Sequence, residues 1–229
     1  MGNSDASPIH IAEPADVVQR LGRTWRRFVV LLRDPEYRVL IGITLLAILL
    51  RLIYLDLIPF DDPQVEQLSS ALPLAQSFRL PLTGTLSSMG VANPGWASYL
   101  FAVPLILGRD PRLAVAFAAL LHIGALLAAY ACVRRYYSRR AALITALLLA
   151  ANPWATLHAR SLVATSLLLP GAVALFWGLC SAILARHAWG WPVTLAGLAL
   201  MLGVSLTAIL LIPGLAMLLV LYRRRVRWS

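Results

Sequence analysis

Ten acidic residues are present, and five of them (Asp56, Asp61, Asp62, Glu66 and Asp110) fall in one stretch between two apolar runs. Two are adjacent, in FDDPQVEQLSSAL. Pro63 suits the first turn of a helix, where its missing N–H has no intrahelical partner anyway. Asp62 is then the expected N-cap, accepting backbone N–H bonds, with Glu66 one turn along the same face. With Asp62 so occupied, Asp61 is the free carboxylate. Just outside a membrane such a group can take the proton from a presented hydroxyl. Taken alone, two Asp before a Pro are more often a turn and a cap.

Arg160 is the second candidate. In NPWATLHARS it falls in a short turn expected on the outer side, where arginine is disfavoured. Its planar fork suits a phosphate, and the plain alternative is an interfacial arginine with its head in water. His158 beside it has a weaker claim. His122, in the middle of an apolar run, is expected to bond between helices rather than to relay protons. Cys132 and Cys180 sit in apolar stretches and read as small buried hydrophobes, not a metal cluster. Zinc-type spacing, a P-loop, a dinucleotide fingerprint and a serine elbow are all missing from the sequence.

These residues must be positioned by an apolar framework. The 229 residues are 60% hydrophobic and 13% charged, with a mean hydropathy of +0.77. That excludes an ordinary soluble enzyme and a disordered tail. All 20 basic residues are Arg, for a net charge of +10. Most lie in runs beside apolar segments, so anionic lipid headgroups are the expected partner and nucleic acid is not. No acid lies inside an apolar run, which argues against an ion-coupled carrier or a flippase.

A span needs about 20 apolar residues. Spans are expected near 39–55 (with Arg51 snorkelling at its end), 113–133, 141–157 and 161–185. The stretch 191–222 would make about 48 Å of helix, too long for a core of roughly 30 Å, so it divides between Ser205 and Pro213 into spans near 191–206 and 208–222. The fold class is therefore an all-α integral membrane protein with about six transmembrane helices. Both termini face the cytoplasm across the plasma membrane, which puts the Arg runs 20–38, 134–140, 186 and 223–227 inside. Residues 1–38 form a cytoplasmic basic tail, disordered over 1–15 and suited over 17–33 to an amphipathic helix on the inner leaflet. Residues 39–222 form the transmembrane domain and 223–229 a cytoplasmic basic end. The long outer loop 56–111 carries a juxtamembrane helix near 96–107, too short to cross.

In order, these segments resemble GT-C membrane glycosyltransferases of the protein-mannosyltransferase-like group. The first span ends in Arg51, and Asp61-Asp62 opens an outer-loop helix. RLPLTGTLSSMGVANPGWASYLFAVPLIL (79–107) is similar to the family's loop and juxtamembrane helix. RRYYSRRAALITALLLAANPWATLHARS (134–161) is similar to its basic inner loop, third span and outer turn. LAGLALMLGVSLTAILLIPGLAMLL (195–219) is similar to its later helix pair. The resemblance runs roughly over 39–222.

It implies sugar transfer from a polyprenyl-phosphate carrier to an acceptor on the outer face. Asp61 falls on the catalytic base and Asp62 on the second acid. Arg160 falls near the carrier phosphate. Asn93, Trp96 and Tyr99 fall in the substrate-facing stretch, with Glu66 among the substrate-binding residues. No cofactor is implied with certainty, and a divalent cation is one option. Membrane lipids are partners, and a second membrane protein completing the site is another option. Three departures stand out: Asp62 and Pro63 where Glu without Pro is usual, the uncharged Ser205-Leu206-Thr207-Ala208 where Lys or His is usual, and the basic run that ends the chain after six expected spans. A short or truncated enzyme is the first expectation. A non-catalytic subunit that binds lipid carrier or a partner is the alternative.

Overall fold

The computed structural model describes residues 34–53, 55, 60–81, 83–86, 90, 92–108 and 110–222. The expected disordered stretch 1–15, helix 17–33 and basic end 223–229 lie outside the described residues, as do Asp56 and Arg109. By its contacts the chain divides into Met1–Ile41 and Gly42–Ser229. In the first part, Asp34 Oδ1 accepts the Glu36 N–H at 3.0 Å and opens α1 (Pro35–Leu52).

The second part continues with α2 (Asp62–Ser77), strands β1 (Thr83–Leu86) and β2 (Ala92–Pro94), and α3 (Trp96–Leu107). Then come α4 (Pro111–Tyr136), α5 (Arg139–Ala151) and α6 (Pro153–Ala159). A 3-10 turn (Ala164–Leu167), α7 (Leu168–Leu179) and a π turn (Cys180–Leu184) form one run. The chain closes with α8 (Gly190–Val204), a 3-10 turn (Leu206–Leu210) and α9 (Leu211–Leu221). The ribbon β1–β2 is antiparallel with an irregular register, a short β element in a stretch where juxtamembrane helices alone are the expected ordered structure.

The helices start where local chemistry favours it. Asp110, Ser138 and Asn152 accept N–H bonds from Arg112, Ala141 and Ala155 and so cap α4, α5 and α6. Pro111 and Pro153 occupy the first turn, where no N–H is needed.

It is a membrane protein, with two helices long and apolar enough to cross, Pro111–Tyr136 and Ala164–Leu184. The pair Arg139–Ala151 and Pro153–Ala159, bent by 61°, raises this to three if it is one span. The six expected spans are not reached among the described residues, for local reasons. Helix α1 carries Glu36, Arg38 and Arg51 within its 18 residues. Helix α8 has 15 residues, about 22 Å of helix against a core of roughly 30 Å. Beyond it the chain breaks at Ser205, extended at φ −149 and ψ 122.

Helices α2 and α3 are part of the core. Ala71 of α2 and Phe101 and Leu105 of α3 pack with Ala114 and Ala118 of α4, Leu162, Leu167 and Val204. Under them a buried polar group joins α2 to α3, with Gln67 Nε2 donating to Ser98 Oγ at 3.0 Å. Helices α7 and α8 meet through glycines. A Cβ on Gly178 would sit 2.4 Å from Thr194 N and 2.8 Å from Gly190 O. One on Gly197 would sit 2.4 Å from Leu175 N and 2.8 Å from Gly171 O. Such backbone-to-backbone approach is how membrane helices gain dispersion contact where the hydrophobic drive is weak.

Arg51 does not snorkel. It is 1% exposed, with Nη2 donating to Leu149 O at 2.8 Å and Nη1 to Ala150 O at 3.1 Å. Leu149 stands four residues before Pro153, which has no N–H to give its carbonyl. The break that separates α5 from α6 strands two carbonyls, and the guanidinium fork satisfies both.

Candidate functional site

The acidic pair begins α2, but one residue out of the expected register. Asp61, extended at φ −91 and ψ 169, is the N-cap residue, and Asp62 is already helical. The Asp61 carbonyl accepts the Gln64 and Val65 N–H groups at 3.0 and 3.1 Å. The expected N-cap at Asp62 is therefore corrected to Asp61, whose carboxylate makes no cap bond, Pro63 in the first turn having removed one donor that a cap would serve. Both Asp61 and Asp62 are exposed.

One bond fixes this start beside the turn after α6, and a second ties that turn to the end of α1. The Leu162 N–H donates to Gln64 Oε1 at 3.0 Å. Arg160 Nη1 donates to Leu50 O at 3.3 Å, next to Arg51. The Gln64–Leu162 bond thus joins the segments bearing Asp61 and Arg160. His158 stacks on Trp154 with ring centroids 3.8 Å apart and remains within α6.

The ribbon is held to α2 and α3 by side chains. Glu66 Oε1 accepts the Leu86 N–H at 3.3 Å, and Asn93 Nδ2 donates to Thr85 O at 3.2 Å. Tyr99 OH donates to Pro81 O at 2.7 Å. Gly95 fits under that same carbonyl, since a Cβ there would lie 2.6 Å from Pro81 O. The Trp96 ring lies on Gly203 of α8, whose Cβ would approach it to 2.7 Å. These bonds make Glu66 and Tyr99 supports of the loop.

Between the ribbon and the chain breaks lies a cavity of ≈ 730 Å³. Pro63, Thr85, Leu86 and Asn93 form one side, and Val163, Ala164 and Thr165 another. Val204, Ser205, Leu206, Thr207, Ile209 and Leu210 complete it. Its polar groups are hydroxyls and one amide. Ser205 Oγ and Thr207 Oγ1 bond each other at 2.7 Å. Asn93 is 9% exposed, and its Oδ1 has no partner among the described residues. An unpaired buried acceptor is costly, and a hydroxyl-bearing ligand would satisfy it.

Of the seven residues expected in the site, Asn93 alone lines this cavity. Asp61 and Asp62 adjoin it through Pro63, while Glu66, Trp96, Tyr99 and Arg160 are not among its lining residues. Thr85, Thr165, Ser205 and Thr207 were not singled out as site residues. Their signal was the hydroxyl residues clustered where the apolar runs break. Among the described residues, no three of His, Cys, Asp and Glu come together as metal ligands.

A family model described as dolichyl-phosphate-mannose-protein mannosyltransferase matches residues 93–229, more than half of the chain. The match takes in Asn93, Trp96, Tyr99 and Arg160 and begins beyond Arg51, Asp61, Asp62 and Glu66. No curated protein matches the chain, and no solved structure does.

Proposed function

The chain belongs to the dolichyl-phosphate-mannose-protein mannosyltransferase family, and from that premise we propose that it moves a sugar from a polyprenyl-phosphate carrier to a hydroxyl acceptor. The family makes it a membrane glycosyltransferase of the GT-C type. The finer reading is multi-pass, with about six passes and both termini cytoplasmic, acting at the outer face of the plasma membrane.

The observation that carries the reading is the cavity. Among the described residues it has apolar walls, no charged lining residue and an unpaired Asn93 Oδ1. Uncharged walls suit the sugar and the first isoprenoid units, and an orphan acceptor suits a sugar hydroxyl. Asp61, two residues from the Pro63 wall, is the base. It takes the acceptor proton as the acceptor oxygen bonds to the anomeric carbon and the bond from that carbon to the phosphate oxygen breaks. The bonding pair leaves with the polyprenyl phosphate, whose charge Arg160 offsets. Asp62 is the second acid beside it. Trp96 offers a half-exposed ring for stacking on the carrier or sugar. Glu66 and Tyr99 act by holding the ribbon in place.

A non-catalytic subunit that binds carrier or a partner is the alternative. Helix α9, which has no buried residue, favours it, because a second membrane protein could cover that helix and complete the site. Photo-crosslinking separates the cavity from other surfaces. A polyprenyl-phosphate mannose with a diazirine on the sugar should label Thr85, Asn93 or Ser205 in nanodiscs. Labelling confined to α9 would contradict the reading.

A further inference from the structure

His122 lies in the middle of α4 and is 1% exposed. Its Nε2 stands 2.6 Å from the Ser166 carbonyl oxygen. Ser166 is four residues ahead of Pro170, which has no N–H, so no α-helical i+4 donor reaches that carbonyl. A carbonyl oxygen only accepts, so Nε2 carries the proton. Nδ1, buried and without a partner among the described residues, keeps its lone pair. The ring is therefore the neutral Nε2–H tautomer, aimed at one carbonyl.

That carbonyl belongs to the 3-10 turn Ala164–Leu167, whose Ala164 and Thr165 line the cavity. His122 itself does not line it. We propose that His122 is a positioning residue: by holding the Ser166 carbonyl, which Pro170 deprives of an i+4 donor, it fixes the Thr165 wall of the cavity from behind. The inference rests on the reading of the cavity as the place where the lipid-linked sugar binds. The same physics operates at Arg51, where the guanidinium holds the Leu149 carbonyl freed by Pro153. That fork closes a helix break, whereas the imidazole holds a cavity wall.

The test uses the full chain in nanodiscs, with polyprenyl-phosphate mannose as the probe and its Kd as the readout. His122→Leu removes the donor and keeps an apolar side chain, while His122→Gln keeps an N–H at nearly the same reach. His122→Leu should weaken binding about tenfold by releasing the Thr165 wall, and His122→Gln should restore most of it. Thr165→Trp, which fills the cavity, should abolish binding.

Unchanged binding by His122→Leu beside a crippled Thr165→Trp would overturn the role of His122 alone. Equal loss in the Leu and Gln variants would overturn it too, since packing and not the donor would then matter. Wild-type binding by Thr165→Trp would overturn the cavity reading and this role with it. If His122→Leu does not fold, 15N spectra of histidine-labelled wild type decide. The His122 ring should show a protonated Nε2 and a bare Nδ1, and should shift when the probe is added. A bare Nε2, or no shift, would overturn the proposal.

Discussion

The Leu162 amide donates to the Gln64 side chain at 3.0 Å, a bond between segments that are 98 positions apart. It joins the helix that begins at the acidic pair to the turn that carries Arg160. Gln64 is 4% exposed, so the bond is made out of reach of water and its loss cannot be replaced from solvent. Gln64→Ala should lower stability by about 1–3 kcal/mol, the cost of leaving a buried donor unsatisfied. Hydrogen exchange reads it residue by residue. The Leu162 amide should exchange faster in the variant, and unchanged protection would show that the bond does not hold the turn.

Arg51 makes the next prediction. Arg51→Leu strands the Leu149 and Ala150 carbonyls, at about 1–3 kcal/mol for each group. Arg51→Lys supplies one compact ammonium in place of a fork and should fall between the two. Thermal unfolding in a single nanodisc composition gives the order. Equal stability of Lys and Arg would show that charge, not the fork, is what the break requires.

Packing of α7 on α8 is tested at Gly190. A Cβ there would lie 2.4 Å from Ala182 N and 2.7 Å from Gly178 O, both backbone atoms that cannot turn aside. Gly190→Ala should destabilise by about 1–3 kcal/mol, the usual range for overpacking. Gly124 in α4 is the control, with nothing within 4 Å of its Cβ position. Gly124→Ala should leave the unfolding temperature unchanged or slightly raised, and similar losses in both would contradict the close approach of the two helices.

Asn93 carries the polar contact proposed inside the cavity. Asn93→Leu keeps the branched outline, removes Oδ1 and also frees Thr85 O from Nδ2. The Kd for polyprenyl-phosphate mannose should rise about tenfold or more. Binding equal to wild type would remove Asn93 from the site.

Much of the framework is legible in the sequence, because apolar runs and proline positions act locally. The short apolar run after Gly95 forms helix Trp96–Leu107, and the long run after Gly190 breaks at Ser205. The ribbon is not legible. Strands of four and three residues with an irregular register are too short for any alternation to stand out. The inward turn of Arg51 is hidden for a different reason. An arginine near the end of an apolar run ordinarily reaches water, and the carbonyls that draw it inward lie about a hundred residues away in the chain. Asn93 was visible as part of a resemblance. The hydroxyls of Thr165, Ser205 and Thr207 that share its cavity come from separate breaks that only the fold brings together.

Asp61 tests the account most directly. Wild type and Asp61→Asn would be placed in nanodiscs with radiolabelled polyprenyl-phosphate mannose and a hydroxyl acceptor, scoring donor binding and donor consumption separately. The account predicts that wild type binds and consumes donor, while Asp61→Asn binds with similar affinity and loses consumption by about a hundredfold or more, the typical contribution of a general base. Equal consumption by both proteins would contradict it, and binding without consumption by wild type would point to the non-catalytic subunit instead.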